Sequence, residues 1–208
     1  SRFANARLYH SQVVGLDLER RTVLCDNRPP VPFDVLSINI GSTPGMQQVP
    51  GVAQHAVPVK PVDGFLERFE KARARVLATQ GRARIGIVGA GAGGVELLLS
   101  IQRRLIADVQ SAGHDPAGLS FAIFTQSPEV LPSLPAGTRR RFTEILDTRG
   151  VAVHTNSPVT ALEQGAVVIN GRDRIAVDEV FWTTRAEPAP WLRETGLALD
   201  DGGFIRVG

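Results

Sequence analysis

Arg84-Ile85-Gly86-Ile87-Val88-Gly89-Ala90-Gly91-Ala92-Gly93-Gly94-Val95-Glu96-Leu97 runs an apolar strand straight into Gly-x-Gly-x-x-Gly and on into an amphipathic helix. The glycine spacing alone is weak evidence, but between a strand and a helix it is the fingerprint of a dinucleotide-binding turn. Gly89 permits the tight turn, Gly91 lets backbone approach a pyrophosphate, and Gly94 lets helix and strand pack closely. The helix that follows points unpaired N–H groups and the positive end of its dipole at the phosphates.

Outward from this turn the pattern alternates. A helix over about 94–110 buries Val95, Leu98, Leu99, Ile101, Leu105 and Ile106. A Gly/Pro/Asp loop over 111–118 leads to a strand, 119–125, then a helix, 137–149, and a third strand, 151–154. Strand, helix, strand, helix, strand predicts a parallel sheet with crossover helices. Three short strands with tight turns follow over 159–163, 166–170 and 174–177, and Asp178–Thr184 returns as a buried strand. The predicted class is α/β: a Rossmann-like parallel sheet with an inserted β-meander.

Before the turn, Val13–Leu18 and Arg21–Cys25 predict a hairpin, and Phe33–Ile40 a largely buried strand that stops at Gly41-Ser42-Thr43-Pro44-Gly45. Residues 45–61, with Pro50, Pro58 and Pro61, predict a loop. Asp63 is placed to cap a helix over 64–79 that turns Phe65, Phe69, Ala72 and Val76 to one face.

Composition excludes several classes. The 23 Lys and Arg nearly balance the 21 Asp and Glu, so no nucleic-acid partner is expected. The Arg139-Arg140-Arg141 cluster is read as a solvated helix face or, alternatively, an anionic-ligand contact. One cysteine, Cys25, excludes an internal disulfide or redox pair within the chain and reads as a small half-buried hydrophobe. His10, His55, His114 and Cys25 have no metal-ligand spacing, so no metal site is expected. No apolar run reaches the roughly 18 residues of a membrane span. The expected compartment is the cytoplasm, with a peripheral position at a membrane as the variant. A chain that opens at Ser1-Arg2-Phe3 and stops on the strand-like Phe204-Ile205-Arg206-Val207 is expected to be a fragment.

The order of a strand ending in Gly-Ser-x-Pro, then Gly-x-Gly-x-x-Gly with Val95-Glu96-Leu97, then a meander, then a strand ending in Trp182-Thr183-Thr184 resembles the pyridine nucleotide–disulfide oxidoreductases. These are flavoproteins with two dinucleotide-binding domains, and the type II NADH dehydrogenase-like branch is the nearest in kind. The stretch Val57–Leu66, and Leu131–Pro135 with the arginine cluster, look like the subgroup associated with selenide, water dikinase.

The resemblance implies three segments: 1–58 as part of an FAD-binding domain, 59–186 as the NAD(P)H-binding domain, and 187–208 as a return toward the first. It implies NAD or NADP here and FAD in the full-length protein, with hydride passing from NAD(P)H to flavin and on to a quinone or other small acceptor. The fragment alone is expected to be inactive. The implied cofactor contacts are Gly89, Ala90, Gly91, Ala92, Gly93 and Gly94, with Glu96, Thr125, Thr184, Arg185, Gly41 and Ser42; no catalytic residue is assigned. Self-association into a homodimer is left open. A nucleotide-binding accessory module feeding selenide, water dikinase is the alternative. A flavin-free Rossmann dehydrogenase is disfavoured, because no Tyr-x-x-x-Lys pair occurs and the one tyrosine is Tyr9.

Three positions depart from the family pattern or carry two readings. Thr125 ends the second strand where NAD-specific members often carry a carboxylate, which would accept from the ribose hydroxyls and repel a 2′-phosphate. No Arg follows at Gln126 or Ser127, so neither NAD nor NADP is excluded. Thr184-Arg185 replaces the usual Thr-Gly, and the cation either contacts phosphate or obstructs it. Glu96 has two readings as well: a carboxylate just inside the helix suits the dipole, and in the family the matching glutamate lies near the nicotinamide. Asp108 reads as a solvated helix residue, and His154 as an ordinary strand-end residue.

Overall fold

The computed structural model describes residues 6–41, 43–44, 49–60, 62, 64–184 and 186–207. Two compact units divide the chain: 1–43 with 187–208, and 44–186. The first carries β1 (Val13–Asp17), β2 (Thr22–Cys25) and β3 (Val31–Pro32) as an antiparallel sheet in that order. The predicted hairpin is therefore present, and Cys25 is half-buried on it. A 3-10 turn, Pro190–Glu194, buries Leu192, and a lone bridge joins Leu199 to Ile205 in place of the terminal strand expected at 204–207.

The buried strand expected over Phe33–Ile40 is not formed. Beyond β3 these residues are bends and irregular chain, with Val35 91% and Ile40 45% exposed. A strand needs neighbours for its backbone N–H and C=O groups, and no described strand lies alongside this segment.

The second unit begins with short pieces where a loop was expected over 45–61. After β4 (Thr43–Pro44), α1 (Val52–His55) leads into β5 (Ala56–Pro58). Then come α2 (Phe65–Ala78), β6 (Ala83–Val88), α3 (Ala92–Ser111), β7 (Leu119–Phe124), α4 (Ala136–Thr148) and β8 (Val151–His154). The meander is β9 (Val159–Glu163), β10 (Ala166–Ile169) and β11 (Asp173–Ala176), followed by β12 (Glu179–Trp182) and β13 (Ala186–Glu187), the last paired with β4. The main sheet has the order β5-β12-β6-β7-β8, every pair parallel.

Because β5 is the edge strand of this sheet, the expected boundary at 58/59 moves to 43/44. Pro58 fits there, since an edge strand tolerates a residue without an N–H. Asp63, the expected cap of α2, lies outside the described residues. The N-cap position belongs to Gly64 at φ 81°, with no side-chain cap.

Alternate side chains of the sheet feed two separate cores. Ile85, Ile87, Phe121, Ile123 and Phe181 face α2, α3 and α4, where Phe69, Val76, Leu98, Ile101 and Leu146 close the first core. Val88, Phe124, Val180 and Trp182 face the other way, into Val52, Leu162, Val167, Ile169 and Val177 of α1 and the meander. Strands covered on both faces are near-continuously apolar, which is why 85–88 carries no polar alternation. Gly86 makes the second packing close: a Cβ there would lie 2.9 Å from Val177. No helix among the described residues is long and apolar enough to cross a membrane.

Candidate dinucleotide-binding site

The carboxyl ends of β6, β7 and β12 meet at the glycine turn. Gly89 leaves β6 at φ 112°, a conformation that L side chains rarely adopt. A Cβ there would also lie 2.6 Å from Thr183 Oγ1. Its N–H donates to Phe124 O at 2.9 Å, tying the turn to β7. Gly94 is the contact between helix and strand: a Cβ on it would stand 1.8 Å from Gly89 O. Gly91 and Gly93 differ from these two. A Cβ on either would meet no atom within 4 Å, and both are exposed.

Helix α3 starts at Ala92, two residues before the expected 94, with Gly91 as its N-cap and no side-chain cap. Its first N–H groups have no partner within the helix. Two glycines are therefore consumed by packing, and two leave open space beside a bare helix terminus. That is the cradle a pyrophosphate requires: backbone donors, positive dipole end, and no side chain in the way.

Other residues lock this turn in place. Thr183, which was not among the expected site residues, uses its hydroxyl on Val88 O at 2.9 Å and Gly89 O at 3.1 Å, while its N–H also donates to Val88 O. A threonine directly after the apolar Phe181-Trp182 was the available signal. Ala90 is 3% exposed, and its carbonyl accepts from Leu131 N–H at 2.8 Å. Thr184 is half-buried at the end of β12; Arg185 and Ser42 lie outside the described residues. Gly41, at φ 68° with open space around it, belongs to the other unit and is the one expected flavin contact that is described.

Thr125 follows β7, is buried, and is bonded on three sides. Its N–H donates to His154 O at 2.9 Å, its carbonyl accepts from Ser157 N–H at 2.8 Å, and its Oγ1 accepts from Ser127 N–H at 3.1 Å. Among the described residues nothing accepts its hydroxyl proton. His154 stacks on Phe124 with ring centres 4.8 Å apart, and burial pushes its pKa below the ordinary 6.5.

Charged residues mostly serve the scaffold. Asp108 is not solvated, as the sequence suggested, but held between Arg73 at 2.6 Å and Arg104 at 2.8 Å, which keep its carboxyl below the usual carboxylate range. Arg139 pairs with Glu129 at 2.8 Å and donates to Leu134 O, stapling the loop after β7 to α4. Arg140 reaches Glu144 only at 3.9 Å, and Arg141 is exposed. Glu96 is the fifth residue of α3 rather than one in its first turn, so the dipole reading weakens. It borders a cavity of about 460 Å³ between α3 and α4.

An α/β module arranged this way is built to hold phosphates at the carboxyl edge of its sheet. Residues 2–208 match the family model described as pyridine nucleotide-disulphide oxidoreductase, and the chain belongs to that family. It is 24% identical over 196 residues to the NADH dehydrogenase-like protein YutJ of Bacillus subtilis, covering 94% of this chain and 51% of the relative. It is 26% identical over 204 residues to the demethylphylloquinone reductase NdbB of Synechocystis, covering 95% of this chain and 48% of the relative. The fold matches NDH2 of Plasmodium falciparum, solved in complex with NADH, at a TM-score of 0.75 and 16% identity, over 90% of this chain and 42% of that one. The chain thus spans about half the length of the curated relatives it matches.

Proposed function

We propose that this chain is the NAD(P)H-binding portion of an FAD-dependent oxidoreductase that delivers hydride from NAD(P)H to flavin and onward to a quinone-like acceptor. The observation that carries the reading is the division of labour in the glycine turn. Gly89 and Gly94 are closed by packing, whereas Gly91 and Gly93 stand open at an uncapped helix terminus. The names of the relatives support the reaction class, and NdbB, as a demethylphylloquinone reductase, supports a quinone as acceptor.

In this reading the N–H groups of α3's first turn hold the pyrophosphate, and Thr183 keeps Gly89 in the conformation that exposes them. Thr125, through its hydroxyl proton, meets the adenosine ribose. Flavin, when bound, supplies the hydride acceptor; of the residues expected to touch it, Gly41 is described and Ser42 is not. The chain's own part is to bind and orient the nicotinamide donor. The accessory reading, tied to selenide, water dikinase, has no support among the relatives named above.

Titrating the chain with NADH and with NADPH tests the proposal. Both should bind, with affinities within about tenfold of each other, or about 1.4 kcal/mol, because Thr125 neither repels a 2′-phosphate nor pairs with it. Failure of both to bind would overturn the cofactor assignment.

A further inference from the structure

The cavity between α3 and α4 lies to the side of the glycine turn, and nothing in the proposed hydride transfer uses its far end. We propose that it is a second ligand site, for a small organic anion with an apolar body, and that its occupancy is coupled to the glycine turn through Leu131. Its volume, about 460 Å³, is that of a small-molecule site.

The cavity is polarised along α3. Ala92 and Glu96 mark one end and Arg103 the other. Arg103 lies eleven helical steps beyond Ala92, about 16 Å at 1.5 Å per residue. Val95, Leu99, Leu131, Leu134 and Phe142 make the middle apolar. Arg149, on the α4 side, also lines the cavity. Gln102 Nε2 donates to Arg149 O at 3.0 Å, which holds Arg149 beside the turn of α3 that carries Arg103.

Both arginines line the cavity, with the backbone of Arg149 fixed beside the turn of α3 that carries Arg103. Arg73, Arg75, Arg84, Arg104, Arg139 and Arg174 all pair with carboxylates, whereas Arg103 and Arg149 pair with none among the described residues. An anionic headgroup is favoured at the Arg103 end and disfavoured beside Glu96 at the other. The occupant is accordingly oriented, with its acid at Arg103 and Arg149 and its apolar body toward Leu131.

Leu131 joins the two sites physically. It is 2% exposed and sits at φ 55°, a conformation that a bulky residue holds only where its surroundings impose it. Its side chain faces the cavity, while its N–H donates to Ala90 O inside the glycine turn at 2.8 Å. An apolar body pressing on Leu131 therefore acts on the backbone that presents Gly91.

Calorimetric titration of the chain with 2-naphthoate, octanoate and neutral 2-naphthalenemethanol tests the site. At least one carboxylate should bind with a Kd below about 1 mM, and the neutral alcohol more weakly. The double variant Arg103→Gln/Arg149→Gln should weaken carboxylate binding at least about tenfold, a loss of about 1.4 kcal/mol, and leave the alcohol unchanged. Ser100→Trp, which fills the cavity from an exposed position, should abolish binding of both. All substituted residues are exposed, and circular dichroism checks that the fold is kept. Absence of saturable binding to the parent chain, or binding that both variants leave intact, would overturn the site.

For the coupling, saturating carboxylate should shift the NADH Kd by at least about threefold, and an unchanged Kd would overturn it. Carboxylate binding through the two arginines in a chain that binds no nicotinamide nucleotide would sink the coupling and the proposed function, and leave the anion site standing.

Discussion

At the scale of single residues, four glycines of one motif fall into two physical kinds. Gly94→Ala would drive a Cβ to 1.8 Å from Gly89 O; nothing flexible can yield, so a loss of about 3 kcal/mol is expected, read as a lower melting temperature. Gly93→Ala meets open space on a helix, so the fold should gain about 0.5–1 kcal/mol from helix propensity. Its methyl nevertheless stands where phosphate approaches, and NADH affinity should drop about tenfold, or about 1.4 kcal/mol. Stability and affinity moving in opposite directions is the signature; a Gly93→Ala chain that binds NADH as the parent does would remove Gly93 from the site. His154 makes a pH prediction. Its folded pKa lies below the ordinary 6.5, so between the two values the unfolded chain binds more protons. Stability should therefore rise with pH across that window and be lost as pH falls below 6.5 toward the folded value. His154→Phe keeps a ring on Phe124 and should flatten that slope in urea titrations at several pH values.

At the scale of elements, β12 joins the two cores and carries an imperfection. Trp182 is 2% exposed, and its indole Nε1 has no hydrogen-bond partner among the described residues. An unsatisfied buried donor costs about 1–3 kcal/mol, so Trp182→Phe removes that cost while losing ring volume. The two effects oppose, and the net change should stay under about 1.5 kcal/mol, well short of the roughly 3–5 kcal/mol typical of truncating a buried tryptophan to alanine. A larger loss in chemical denaturation would show that the indole nitrogen is satisfied in solution. The opposite end of β12 is held by Glu179, which accepts two hydrogen bonds from Arg75.

At the scale of the whole chain, the buried apolar side chains lie almost entirely in 44–186. Of the first unit's described residues, Leu16 and Leu192 are the buried hydrophobics, whereas both core clusters belong to the second unit. The segment 44–186 expressed by itself should therefore melt cooperatively and retain its α/β circular dichroism. A non-cooperative melt would mean that the second unit depends on the first. Much of this unit is legible in the sequence. From 84 to 154 each helix and strand announces itself by its own periodicity, and the meander by its tight turns. The segment Phe33–Ile40 misleads, because an apolar run records a tendency to be buried without supplying a partner to be buried against. β5 is hidden for the converse reason: Ala56-Val57-Pro58 is too short to show a period, and becomes a strand by pairing with β12.

The sequence by itself determined the strand–glycine–helix turn, the parallel βαβ order around it and the absence of a carboxylate at Thr125, because each is a local property of residue type and spacing. Tertiary structure alone decided which glycines are consumed by packing and which stay open. It also decided that Thr183 locks the turn, and that Leu131 links Ala90 to a cavity lined by Arg103 and Arg149. These are contacts between segments far apart in the chain, and their geometry exists only once the sheet, the helices and the meander have closed on one another.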